Sequence, residues 1–363
     1  MSSTWRNNIT FTIFGESHGK AIGVCVDDLP AGESIDMDKV YEFMARRAPK
    51  KNSTSTQRRE SDHPTIVSGY YNGKTTGTPL CAFIPNTDQH SNDYSNLSKL
   101  ARPGHADYTG ALRYRGFNDF RGGGHFSGRL TAPLCFAGAI AGQILEKRGI
   151  YVGAHIAEIH GIQDKNFDPI NTDKDTIREV RSKDFPVIID VQGNEMVKEI
   201  DRARKDKDSV GGIIECIAIN VPAGIGSPMF DGLENSIAQL VFGIPAVKGI
   251  EFGAGFDTAL MLGSENNDEF YVNDLGHVVT RTNNHGGILG GISSGMPITM
   301  RVAFKPTPSI AKPQETVDYS AMKNETLEIK GRHDPCVVPR AVPCVEAAVN
   351  IALLNHMIDY PNF

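Results

Sequence analysis

From Thr131 to Arg148 the chain reads TAPLCFAGAIAGQILEKR, apolar or small at nearly every position of its first turns. A surface helix carries one apolar stripe, so a helix that is apolar on all sides has to be covered on all sides. Ala132, Ala137, Ala139 and Ala141 keep it slim, and Gly149, after Lys147 and Arg148, is placed to cap its C-terminus. No stretch of the chain reaches the roughly 20 apolar residues of a membrane span. The cover must therefore come from the protein's own layers, and the segment predicts a helix sandwiched between them.

The flanking patterns supply such layers. Ile9, Phe11 and Ile13 alternate with threonines, Ile22, Val24 and Val26 repeat the same period, and Ile298, Met300, Val302 and Phe304 do so again late in the chain. Each predicts a strand. Asp36 is placed to cap a helix carrying Met37, Val40 and Met44, which Pro49 stops after Arg46 and Arg47. The run from Lys50 to Asp62 has no apolar residue and predicts a mobile loop, and Asn72-Gly73 predicts a hairpin turn. Residues 194–208 predict a solvated helix, with Met196, Ile200 and Ala203 on its one apolar face, and Val345 to Leu353 mark a closing helix. With no internal repeat and no dividing linker, the reading is α+β, one large domain over 1–363.

The 43 acidic residues outnumber the 37 basic ones, for a net charge of -6, which excludes a general nucleic-acid binder. An anion site has to be local. Met1 to Phe14 contains no signal-like apolar segment, so the expected place is cytoplasmic. Six cysteines form no CxxC pair, and His333 with Cys336 is too small a set for zinc, so free thiols and no metal are expected.

Four glycine-rich clusters bring backbone N–H groups within reach of an anion: GESHG at 15–19, RPGHADYTG at 102–110, RGGGHFSGRLTAP at 121–133 and NNHGGILGGISSGMP at 283–297. Any one of them alone is as readily a set of turns. GESHGK has one residue too few for a P-loop, and Ala21 stands where magnesium needs a hydroxyl; the three glycines at 122–124 lack the third dinucleotide glycine. Between Arg46 and Arg59 lie six basic residues (Arg46, Arg47, Lys50, Lys51, Arg58, Arg59) and no acid. The run is either a phosphate-binding patch or a solvated charge run. His18 and His105 sit in polar glycine turns, better placed for proton transfer than His155 or His160 in a strand. Asp334 lies between Arg332 and Arg340 in a segment before the closing helix, as an ion-pair network or as a base beside an anionic substrate.

GESHG, QRRESD, RPGHADYTG, RGGG, HGGILGGISSG, KPTPSI and GRHDPCVVPRAVPCVEA, in that order from residue 15 to about 347, resemble the chorismate synthase family. The resemblance implies helices held between antiparallel sheets in a three-layer sandwich, and a homotetramer. It implies a lyase of the shikimate pathway leading to aromatic amino acids, which eliminates phosphate from 5-enolpyruvylshikimate 3-phosphate in an anti-1,4 sense. Reduced FMN is required without net redox change, and its reductant, NADPH, acts through an external flavin reductase because no reductase domain is visible.

By the same resemblance His18, His105 and Asp334 are catalytic. His18 keeps the flavin protonated, His105 assists the phosphate and Asp334 helps remove the C6 proton. His125, Phe126, Ser127, Pro245, Ala246, Gly290, Lys305, Pro306, Thr307, Pro308, Ser309 and Arg332 match flavin-binding positions, and Arg47, Arg129 and Arg340 match contacts to substrate or NADP phosphate. After its three glycines the chain departs from the family's Arg-Ser-Ser-Ala-Arg-Glu-Thr-Ala, reading His125 to Ala132 instead. A phosphometabolite binder without chemistry and a flavin redox enzyme are the competing classes. Retention of His18, His105 and Asp334 favours catalysis.

Overall fold

The computed structural model describes residues 3–49, 62–86, 99–329 and 334–360. The period-2 segments pair as expected. Thr4–Arg6 (β1), Thr10–Gly15 (β2), Ala21–Asp27 (β3), Thr65–Ser68 (β4) and Leu80–Pro85 (β5) form an antiparallel sheet in the order β1-β2-β3-β5-β4. Its inner face buries Phe11, Ile22, Val24 and Val26. A second antiparallel sheet joins Tyr151–Ile159 (β6), Ile162–Gln163 (β7), Gly212–Ile219 (β8), Val247–Phe252 (β9) and Ile298–Phe304 (β10), in the order β9-β10-β8-β6-β7.

Helices fill the space between. Met37–Arg47 (α1) starts at Asp36, whose Oδ1 accepts from Asp38 N at 3.0 Å, as its side chain predicts. Asp107–Arg113 (α2) is a short surface helix. Thr131–Glu146 (α3) buries every residue except Gln143 and Glu146, as an all-round apolar helix must. Lys174–Ser182 (α4) packs through Ile177 and Val180 with Ile217 and Ile219 of the second sheet, in a small cluster apart from the main core, whereas Met196, Ile200 and Ala203 of Asp190–Lys205 (α5) join the main core. Leu233–Phe242 (α6) precedes β9. Val338–Met357 (α7) is longer than its apolar mark suggests, and it takes in Arg340, which the sequence reading left before the helix. Pro339 falls in its first turn, where no N–H partner is needed.

α3 rests against β3 and β5 of the first sheet, α7 rests against β6 and β8 of the second, and the two helices pack on each other. They meet where α3 lacks a side chain: a Cβ on Gly138 would stand 2.2 Å from Ala347 Cβ. Asn350 Nδ2 donates to Gly138 O at 3.2 Å across the same contact.

One buried charge ties this centre together. Glu346, fully buried on α7, accepts from Arg46 Nη1 and Nη2 at 2.6 and 2.8 Å and from Ala154 N at 3.0 Å, with Arg181 Nε 3.5 Å away. It links α1, α4, β6 and α7. Burial alone would raise its pKa, but Arg46 and Arg181 outweigh burial and hold it below the usual value. A depressed folded pKa stabilises above the unfolded value of about 4.3 and loses that contribution as pH falls through the folded one. Glu346 therefore supports the fold at neutral pH and stops doing so only in acid. Glu346→Ala is expected to cost about 3–5 kcal/mol, the usual consequence of orphaning buried partners, as read by denaturant unfolding at pH 7.

Candidate active site

A cavity of about 600 Å³ opens between the end of α1, the glycine turn at 121–130, the end of α6, the chain after β10 and the start of α7. Its lining includes Arg47, Arg102, Arg129, Lys248, Lys305 and Arg340, against one carboxylate, Asp334, among the described residues. A chain of net negative charge thus gathers six cations around one cavity.

The glycine turn brings the two histidines together. Gly122, Gly123 and Gly124 all have positive φ (58, 85 and 54°), a path that side chains disfavour. A Cβ on Gly122 would stand 2.0 Å from Cε1 and Nδ1 of His18, and one on Gly123 would stand 3.2 Å from Nε2 of His105. Successive glycines therefore contact the two rings. His18 is buried behind Gly122 and does not itself line the cavity, whereas His105 does.

Asp107 backs His105, with Oδ1 2.7 Å from Nδ1. The same carboxylate accepts from Arg102 Nε at 2.7 Å, Nη2 at 2.8 Å and the Arg102 backbone N at 3.0 Å. Burial would raise the Asp107 pKa, but the bonds from Arg102 and His105 prevail and hold it well below the usual carboxylate range.

Arg47 is the main departure from expectation. The basic run reads as exposed, yet Arg47 is buried, donating from Nη1 to Asp62 Oδ2 at 2.5 Å, from Nε to Thr131 Oγ1 at 3.0 Å and from Nη2 to Gly128 O at 3.2 Å. Asp62, assigned from sequence to the mobile loop, is buried too, because its other oxygen takes Arg129. One carboxylate bridging two guanidiniums carries an otherwise polar end of the run into the interior. Arg46 is engaged by Glu346. Lys50, Lys51, Arg58 and Arg59, and the loop expected there, lie outside the described residues.

Asp334 accepts from Arg340 Nη1 at 2.6 Å, and Arg340 Nε donates to Arg47 O at 3.1 Å, so the first turn of α7 is bonded to the end of α1. Arg332 lies outside the described residues. His125, Phe126 and Ser127 line the cavity, but both ring nitrogens of His125 serve the protein, at 2.7 Å from Gly15 O and 2.5 Å from Ser3 Oγ. The imidazole that replaces the family's usual residue thus anchors β2 and the N-terminus.

Pro245, Ala246, Lys305, Thr307, Pro308 and Ser309 also line the cavity, whereas Pro306 faces a neighbouring shallow pocket. Burial, and then Lys248, push the Lys305 pKa down. Gly290 is elsewhere. It turns the hairpin Ile288–Leu289/Ile292–Ser293, whose Gly291 O accepts from Leu233 N at the start of α6, about 15 Å from the cavity end of that ten-residue helix. His155 is structural, held between Asp164 at 3.1 Å and Glu215 at 2.7 Å.

Sequence reasoning did not single out Asp62, Arg102, Asp107 or Lys248. Arg102 and Asp107 were within view in RPGHADYTG, five residues apart on either side of His105. Lys248 carries no local signal.

A cavity lined by six cations, with Asp334 and His105 at its surface and His18 behind it, defines an enzyme site suited to a small anion. The family model for chorismate synthase matches residues 9–358. The chorismate synthase of Korarchaeum cryptofilum is 48% identical over 95% of this chain and 94% of its own length, and that of Thermococcus gammatolerans 47% over 96% of each. A solved crystal structure of a chorismate synthase superposes with a TM-score of 0.75 at 26% identity, covering 97% of this chain and 92% of that one. This chain belongs to the chorismate synthase family.

Because Arg47 is buried and paired, Arg47→Ala is expected to lower stability by about 3–5 kcal/mol as well as weaken anion binding. A thermal melt distinguishes this from the exposed-patch picture, in which the melting temperature stays put.

Proposed function

We propose that this cavity binds 5-enolpyruvylshikimate 3-phosphate beside reduced FMN and eliminates phosphate to give chorismate. The observation that carries the reading is the convergence on one cavity of four of the family motifs, RPGHADYTG with His105, RGGG with Gly122, KPTPSI with Lys305 and GRHDPCVVPRAVPCVEA with Asp334, joined there by Arg47.

Room and donors suit a flavin. The volume lies within the usual 300–1,000 Å³ of ligand pockets. Thr307 Oγ1, on the lining, is a buried hydroxyl with no partner among the described residues. Lys305 beside Lys248 leaves two ammonium groups that an anionic phosphate would relieve. Ala246, held at φ 75°, turns its backbone along the same wall. When bound, reduced flavin supplies electron density that eases loss of an allylic phosphate without net oxidation.

The rest falls to the chain's own residues. Arg47, Arg129 and Arg340 orient the carboxylates and phosphate of the substrate, each backed by a carboxylate that fixes its position. Asp334 is the acceptor at the C6–H. As that proton leaves, its bonding pair moves into the ring and the C3–O pair departs with the phosphate, to which His105 offers a hydrogen bond or proton. His18, behind the neighbouring glycine, holds a proton at the same end. The reductant reaches the flavin from outside the chain.

Assembly as a homotetramer is part of the proposal. Phe256, Leu260, Leu262, Phe270, Val272 and Val278 form an exposed apolar stretch of the kind that oligomers cover. Among the described residues no helix is long and apolar enough to cross a membrane.

Anaerobic turnover of 5-enolpyruvylshikimate 3-phosphate with chemically reduced FMN tests the reading, and phosphate release that does not depend on flavin would overturn it. Asp334→Asn is expected to keep flavin and substrate binding while single-turnover rate falls by roughly 10²-fold or more. Near-normal chemistry would remove Asp334 from the mechanism. Saturating FMN is expected to raise the melting temperature by mass action.

A further inference from the structure

We infer that Asp107, which does not line the cavity, is a positioning residue for the elimination: it holds the Nδ1–H of His105, so that the proton the ring gives to the departing phosphate is a second one, on Nε2, and the neutral ring left behind is the Nδ1–H tautomer. The inference rests on the role proposed above for His105.

The geometry of three groups carries it. Asp107 Oδ1 lies 2.7 Å from His105 Nδ1, so the imidazole donates there. Arg102 Nη2 lies 3.1 Å from Nδ1 and 3.3 Å from Nε2. One atom cannot sit on the lone-pair directions of both ring nitrogens, which diverge across Cε1. Arg102 therefore stacks on the ring and leaves both edges available. With Nδ1 given to Asp107, Nε2 is the nitrogen that meets a ligand, at the Gly123 turn. Which ring nitrogen carries the proton of a neutral histidine is set by the bond the other one makes.

Asp107 is built to stay ionised and in place. It is 7% exposed, takes three N–H groups of Arg102 as well as His105, and its partner Arg102 is held in turn by Ser309 Oγ at 3.1 Å. The stack of Arg102 on His105 thus depends on the carboxylate that orients the ring. An Asn at 107 keeps the shape but loses the charge and offers an N–H of its own, which favours the opposite tautomer.

A double-mutant cycle on the full chain, assayed anaerobically with reduced FMN, tests this. His105→Ala and Asp107→Asn are each expected to lower kcat by about 10²-fold, with KM changed far less, and the double variant is expected to be no slower than His105→Ala alone. Losses that multiply in the double variant would overturn the inference, because Asp107 would then act without His105. Full activity of His105→Ala would overturn the underlying role of His105. A slow His105→Ala beside a normal Asp107→Asn would overturn only the positioning by Asp107. Nitrogen-15 histidine spectra of the wild-type chain, assigned by the resonance missing from His105→Ala, give a readout that does not need Asp107→Asn to fold. The neutral ring is expected as the Nδ1–H tautomer, and an Nε2–H tautomer would contradict the inference.

Discussion

The approach of α3 to α7 at Gly138 and Ala347 is the constraint on which the rest of the structure depends. A side chain at Gly138 would collide with the facing helix, so the bare glycine sets how closely the two can pack. With the helices in contact, each presents its opposite side to a different sheet, and one apolar core runs from Phe11 in the first sheet to Ile214 in the second. The same contact fixes where α7 begins. That first turn carries Arg340 beside Asp334 and is bonded to the end of α1, where Arg47 stands. Helix packing in the middle of the molecule thus sets the spacing of charged groups at its edge.

Holding several cations around a cavity costs desolvation and mutual repulsion. The structure offsets both by placing a carboxylate behind the inner arginines: Asp62 between Arg47 and Arg129, Asp107 against Arg102, Asp334 against Arg340. These carboxylates fix the guanidiniums in orientation before a ligand arrives, which lowers the ordering cost of binding. The wall remains net positive toward the cavity because only one of the three acids, Asp334, reaches its surface.

Much of this was legible from local pattern. The apolar helix at 131–148, the alternating strands and the Asp36 cap depend on periodicity and on one side chain bonding its own backbone, and they formed where those features lie. Features that depend on distant partners were hidden. Arg47 and Asp62 read as polar residues in a polar run, and only their pairing with each other and with Arg129 explains their burial. His125 looked like a ligand position with an unusual residue; its bonds to Ser3 and Gly15, more than a hundred residues away, make it a tether. Helices α4 and α5 followed the same rule, since a charged amphipathic helix does not say which face of which sheet will take it: Ile177 of α4 went to a separate cluster and Met196 of α5 to the main core.

The central claim is that one cavity of this chain holds reduced flavin and the phosphate-bearing substrate together. A crystal structure of the full chain with FMN and 5-enolpyruvylshikimate 3-phosphate, grown without oxygen, tests it most directly. The account predicts the flavin ring along residues 125–127 and 245–246, with Thr307 and Lys305 bonded to the flavin, and the substrate phosphate within hydrogen-bond reach of His105 Nε2 with C6 facing Asp334. Flavin or substrate bound outside this cavity, or a phosphate turned away from His105, would contradict it.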